Sequence, residues 1–256
     1  MWTLIEGDAV QVIPTLDRGL ADLIVTDPPY SSGGMTRGDR QADTVTKYVN
    51  NDSGNIEIGG FDGDTRDQRS FAFWATLWLS MLRGVAKPGA SALVFVDWRQ
   101  LPAITDAVQA AGWVWRGIVP WSKTEATRPQ LGRPRAQCEY IVFATNGPHS
   151  PYHGAPALPG FYEVPTERER VHITQKPVAL MLELVRLAPP DGVVLDPFCG
   201  SGSTAVAAIR SGRRVVTVES NAGIASIARE RLAAETDGLS LQAQRSGQEP
   251  LFGGEL

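Results

Sequence analysis

Two short stretches of this 256-residue chain hold residue types that could do chemistry: Asp27-Pro28-Pro29-Tyr30, which ends the apolar run LIVT, and DPFCGSGST at residues 196–204. Proline removes an amide donor and fixes its own φ, and it drives the residue before it out of the helical region. The first stretch therefore makes a stiff corner that presents one carboxylate and one aromatic ring. On the tetrapeptide alone two readings stay open, an ordinary strand exit or a rigid site. In the second stretch Gly200 and Gly202 have no Cβ, so a ligand can approach the backbone closely. The free amides of a helix start can receive a carboxylate or phosphate. Glu219 ends the next apolar run, seventeen residues after Gly202. An acid there suits a ribose with both hydroxyls free, or is simply a surface acid beside a helix start. Phosphate binding fits less well, because the turn has no P-loop lysine and no third glycine at the dinucleotide spacing.

The elements that must position these residues alternate between apolar strand-like runs and helical patterns, which predicts an α/β fold with a mostly parallel sheet. WTLIE and ADLIVTD read as strands, with a short helix near AVQVIPTL between them. Phe71, Trp74, Ala75, Trp78, Leu79 and Leu82 fall at helical spacing, and the two tryptophans read as core anchors. ASALVFVD is a strand and 99–111 a helix. GWVWRGIVPW and CEYIVFAT form an antiparallel pair around a long basic connection. A helix runs from about 176 to 188 with Pro177 in its first turn. GVVLDPF, helix 203–211, RRVVTVE and helix 222–235 complete the order. The polar, Gly-rich residues 31–66 are too long for a plain connection and read as a lid or binding loop.

Composition sets outer bounds. Hydrophobic residues make up 43% of the chain and charged residues 20%, as in a globular enzyme. No apolar run approaches a membrane span, and the first residues lack a basic region followed by an apolar segment, so the expectation is a cytoplasmic protein without membrane contact. Cys138 and Cys199 are too far apart to form a metal-ligand pair, and His149 and His153 lack a second pair of ligands, so no metal is expected. The net charge of −4 gives no global field for nucleic acid. Locally, Arg116, Lys123, Arg128, Arg133 and Arg135 face only Glu125 between Trp113 and Gln137. Such a cluster is a solvated loop or a phosphate-contacting surface.

DPPY, the later HITQKPVALMLELV and DPFCGSGST together resemble the S-adenosylmethionine-dependent amino-methyltransferases of DNA. The catalytic tetrapeptide comes first and the cofactor turn last, which resembles the circularly permuted β-class of that family. The likeness runs from EGDA at 6–9 to about residue 235. It implies a seven-stranded, Rossmann-like, circularly permuted sheet with an antiparallel hairpin at one edge and a small inserted recognition region. Residues 1–144 would be the catalytic half, 145–172 the target-recognition segment, 173–240 the cofactor half of the same domain, and 241–256 a tail.

Carried over by position, the resemblance implies that Asp27, Pro28, Pro29 and Tyr30 are catalytic. Asp196, Phe198, Gly200 and Gly202 would line the methionine end of the cofactor, with Cys199, Ser201 and Thr204 of the same turn and Asp27 beside them. Lys176 would help hold its carboxylate, Glu219 the ribose hydroxyls and Asp8 the adenine amino group. The sequence departs after Glu219, where Ser220-Asn221 stands in place of the frequent acid-proline pair. The substrate implied is double-stranded DNA with a flipped base, most consistent with adenine N6 because Asp opens the tetrapeptide. Cytosine N4, an RNA base, a protein amide and a non-catalytic DNA-binding role are the other readings. Lys123, Arg128, Arg133 and Arg135 would contact DNA. The family setting is restriction-modification in bacteria or bacteriophage, and homodimers are common in it. QEPLF at 248–252, with Gln248 first and Phe252 last, resembles the short peptides that dock on bacterial sliding clamps.

Overall fold

The computed structural model describes residues 1–30, 66–125, 129, 131–167 and 175–239. Residues 31–65 of the expected 31–66 loop, the tail with residues 248–252, Arg128 and part of the 145–172 segment lie outside the described residues.

The chain begins with strand β1 (Trp2–Glu6), helix α1 (Ala9–Val12) and strand β2 (Ala21–Thr26). Helix α2 (Gln68–Val85) leads directly into β3 (Ala86–Val96), and α3 (Leu101–Ala110) into β4 (Val114–Ser122). Strand β5 (Cys138–Thr145) and the two-residue β6 (Tyr162–Glu163) follow. The last part is α4 (Val178–Leu184), β7 (Val193–Asp196), α5 (Ser203–Arg210), β8 (Arg214–Glu219) and α6 (Ala222–Thr236). One sheet takes all the described strands in the order β1-β8-β7-β2-β3-β5-β4-β6. Neighbours are parallel except at β5, which runs antiparallel to both β3 and β4.

Two expectations need correction. The sheet holds eight strands among the described residues, not seven. The extra one is β6, whose two residues carry no alternation that a sequence pattern could reveal. Pro177 caps α4 from outside and is not in its first turn, because its ψ of 127° is extended.

Packing follows from strand burial on both faces, as parallel sheets require. Along β2, Leu23 and Val25 point to one face and Ile24 to the other, and all three are fully buried. The Ile24 face packs Phe71, Trp78 and Leu82 of α2 and Ile104 and Val108 of α3. The Leu23 face packs Leu180 and Leu184 of α4, Val206 of α5 and Leu232 of α6. Asp67 starts α2 by accepting the Arg69 and Ser70 amides, each at 2.9 Å. No helix among the described residues is long and apolar enough to cross a membrane.

This topology places the chemistry. From the central pair β2 and β7 the chain winds outward in opposite directions, so their carboxyl ends flank the crevice where open α/β sheets bind ligands. Asp27 follows β2, and Asp196 ends β7. Because β5 runs the other way, its first residues reach the same edge. Because β4 is antiparallel to β5, the end of β4 reaches it too.

Candidate active site

At the first corner, Asp27 is largely buried, with its side chain 21% exposed. Its Oδ2 sits 2.5 Å from the ammonium of Lys176. Its Oδ1 is buried and accepts no hydrogen bond among the described residues. A buried carboxylate oxygen without a donor is costly, and this atom keeps its full capacity to accept one. Burial pushes the Asp27 carboxyl above its ordinary range, Lys176 opposes that, and Glu139 adds to it. Pro28 is buried behind the acid, while Pro29 and Tyr30 line the half-buried exit. The Lys176 ammonium stands 5.9 Å from the Tyr30 ring centre and 5.4 Å from that of Phe95.

Lys176 is itself buried, 7% exposed at its side chain, and held between two acids. Its second partner is Oε2 of Glu139 at 3.2 Å. Burial alone would lower its pKa, but Asp27 and Glu139 outweigh that and push it up to about 12. Glu139 also pairs with Lys123. Burial would raise the Glu139 carboxyl, but the two lysines hold it below the ordinary range. A chain of alternating charges therefore runs Lys123, Glu139, Lys176, Asp27.

Glu139 was missed at the sequence level, although a signal existed. Along β5, Glu139 shares its face with the fully buried Ile141, and an acid at a buried position calls for a cation. Its partner Lys176 is 37 residues away in sequence, which no local pattern reports.

At the second corner, Asp196 accepts the Thr26 hydroxyl at 2.9 Å and the Phe198 amide at 3.1 Å, both on Oδ1. Thr204 adds a further bond. Burial pushes the Asp196 carboxyl up to about 7 against these bonds. The turn that follows needs its glycines. Gly200 has φ 51°, and among the described residues nothing beyond its chain neighbours comes within 4 Å of where a Cβ would stand, so open space lies over the backbone there. Gly202, at φ 88°, caps α5 in a left-handed conformation. Phe198 packs against Trp78 and Trp74 with ring centres 5.2 and 5.4 Å away, which anchors the turn on α2. Cys199 is buried and its thiol is pushed up by that burial, so it is no thiolate nucleophile.

Glu219 ends β8 beside this turn. Its two oxygens accept the Gly200 and Asn221 amides, each at 2.9 Å, and burial raises its pKa. Asn221 in turn caps α6 through the Ile224 amide at 3.1 Å, a helix-start role that an acid-proline pair would fill differently. Asp8 is exposed at the end of β1 and caps α1 through Val10 at 2.8 Å. The Gly7 amide donates to the Glu219 carbonyl at 2.9 Å, so the Asp8 and Glu219 ends are neighbours.

The segment before α4 joins the two corners. The Ser201 hydroxyl donates to Oε1 of Gln175 at 3.5 Å, while the neighbouring Lys176 holds Asp27. Ser201 is also fixed by Arg231, which donates to its carbonyl at 3.0 Å. Glu167 accepts the Val178 amide at 2.7 Å and the Gln175 side chain, pinning the segment.

The described basic residues do not share one surface. Lys123 and the connection after it leave from the site edge, but the Lys123 ammonium turns inward to Glu139. Arg133 is exposed, and Arg135 is half-buried and donates to the Glu125 carbonyl at 2.6 Å. Arg116 lies toward the opposite end of β4, bonded to the Thr145 hydroxyl at 3.0 Å and the Gly147 carbonyl at 3.3 Å.

The chain is similar to known proteins in both sequence and fold. Residues 21–230 match the N6/N4 methyltransferase family model, described as DNA methylase. YubD of Escherichia coli (strain K12), which carries a provisional methylase name, is 31% identical over 235 residues, covering 91% of this chain and 91% of YubD. The fold matches TTHA0409 of Thermus thermophilus, solved in complex with S-adenosyl-L-methionine, with TM-score 0.66, 23% identity and 100% coverage of both chains. It also matches the cytosine-N4-specific PvuII DNA methyltransferase with TM-score 0.65 and 13% identity, over 89% of this chain and 86% of that one. With a family match that spans both corners of the site, this chain belongs to the N6/N4 family of DNA methylases.

Proposed function

We propose that the chain transfers a methyl group from S-adenosylmethionine to the exocyclic amino group of a base flipped out of double-stranded DNA, with adenine N6 as the acceptor. The observation that carries this reading is the buried Oδ1 of Asp27, which lacks a donor among the described residues while Oδ2 is held by Lys176.

The residues fit the cofactor. Open space over Gly200, the acid of Glu219 one strand over and the exposed Asp8 beyond it form a path from β7 to β1 along the carboxyl edge. Bound S-adenosylmethionine supplies a methyl group activated by its sulfonium.

An exocyclic amino nitrogen is a poor nucleophile because its lone pair is delocalised into the ring. Oδ1 of Asp27 accepts one amino hydrogen and the Pro28 carbonyl the other, so the nitrogen pyramidalises and exposes its lone pair. Both bonds strengthen as positive charge develops on nitrogen, which favours the transition state over the ground state. Pro28 and Pro29 keep the two acceptors from drifting, which matters because displacements of about 1 Å cost large factors in rate. Tyr30 stacks on the base. Once the nitrogen is methylated it sheds one proton, and the burial-raised Asp27 carboxyl receives it. Arg133 and Arg135, on the connection leaving this edge, grip phosphates.

The test is a transfer assay with methyl-labelled cofactor and duplex DNA, followed by digestion to nucleosides. The expected product is N6-methyladenine. N4-methylcytosine would move the reading to the other amino group, and the absence of labelled nucleoside would overturn it.

A further inference from the structure

We propose that Glu139 is a positioning residue of the methyl-transfer site, bridging Lys123 and Lys176 so that the Lys176 ammonium holds Oδ2 of Asp27 and leaves Oδ1 to the amino group. This rests on the function proposed above and adds a residue to it.

Without Glu139, Lys176 would face Asp27 as its one buried acid. A buried ammonium has three donors and no acceptor. Beside a lone carboxylate it would draw both oxygens, and Oδ1 would no longer be spare. In the structure Nζ lies 2.5 Å from Oδ2 of Asp27 and 3.2 Å from Oε2 of Glu139, so its charge is divided between two acids. Glu139 in turn needs its own counterweight. Its Oε2 makes no well-aligned hydrogen bond, and its other oxygen pairs with Lys123 at the end of β4. The four groups carry two positive and two negative charges, so the buried set is neutral as a whole. Buried charges survive on such pairing.

The fold explains why Glu139 can do this. It stands opposite Trp121 in the β4–β5 register, near the start of the only strand in the described sheet that runs against both its neighbours. A parallel strand in that place would begin at the far edge. Lys123 is only 27% exposed at its side chain, and its ammonium lies 5.5 Å from the Trp121 ring centre, so it too is held in place.

Charge sets the test. Asp27 is faced by Lys176 before α4, Glu139 on β5, Lys123 after β4 and Asp196 on β7. Glu139 raises the proton affinity of Asp27 and Lys123 lowers it. Because the amino group needs an ionised acceptor, the acid limb of kcat/KM for DNA follows Asp27. Glu139→Gln should move that limb to lower pH by about one unit and reduce kcat at the optimum roughly ten- to a hundredfold. Lys123→Gln should move the limb the other way. Glu139→Asp, which keeps the charge, should leave the limb where the parent has it. A residue that only stabilised the fold would scale the profile without moving it.

The experiment measures these profiles in the full chain at saturating cofactor, with calorimetric S-adenosylmethionine binding as the check on folding. Opposite displacement by the two glutamine variants supports the proposal. Limbs that stay in place, or move in one direction together, overturn it. Should Glu139→Gln not fold, Lys123→Gln decides alone, an upward shift supporting and an unmoved limb overturning. A parent chain that transfers no methyl group to DNA would sink the functional reading itself. An active parent with unmoved limbs would sink only the role of Glu139.

Discussion

The hydroxyl of Thr26 donates to Oδ1 of Asp196 across 2.9 Å, and both residues are buried. This bond ties the strand that delivers Asp27 to the strand that delivers the glycine turn. The two corners of the site are therefore set relative to each other before any ligand arrives, which is what positioning catalysis requires.

That bond sits on a carboxyl whose pKa burial has raised to about 7 from an ordinary 3.8. Between those values the folded chain holds a proton that the unfolded chain has released. Stability from this group is therefore greatest below the unfolded pKa and is lost as pH rises through the folded one. Asp196→Asn removes the buried charge, so its urea midpoint should exceed that of the parent at pH 8, and the gap should be clearly smaller at pH 5. Paired denaturation curves at the two pH values check this.

Gly200 separates stability from binding. A Cβ there meets nothing within 4 Å among the described residues, and φ is 51°, so Gly200→Ala should cost only about 1 kcal/mol of stability for the left-handed backbone. The same methyl group projects into the space a ligand would use. S-adenosylmethionine affinity measured by calorimetry should fall about tenfold or more, a loss of at least ~1.4 kcal/mol.

Trp78 is fully buried in α2 and packs edge-on against Phe198, their ring centres 5.2 Å apart. Trp78→Ala should destabilise the chain by about 3–5 kcal/mol. Because it also removes the wall behind Phe198, cofactor affinity should drop in the molecules that still fold. Chemical denaturation and binding titration on the same preparation measure both.

Much of this was legible in the sequence, for reasons that particular residues make clear. Asp27 and Tyr30 stand beside two prolines, and Asp196 beside a glycine turn, so local backbone chemistry marks both corners. The continuous apolar run in ADLIVT marks β2 as a central strand buried on both faces. The pairing of Glu139 with Lys176 and the inward turn of Lys123 were not legible, because both depend on β5 running against its neighbours. That direction brings Glu139 to Lys176 from 37 positions away. The extended length of β4 separates basic residues that a charge count had grouped, leaving Arg116 toward the other end of that strand. Strand β6 was invisible for a simpler reason: two residues hold no period.

The most direct test of the central claim is the single-turnover methylation rate of Asp27→Ala at saturating S-adenosylmethionine and duplex DNA. Losing the acceptor for the amino hydrogen should cut that rate by about a hundred- to a thousandfold, while calorimetric cofactor affinity stays near that of the parent. A variant that methylates DNA at the parent's rate would contradict the account, because Oδ1 of Asp27 would then have no part in the chemistry.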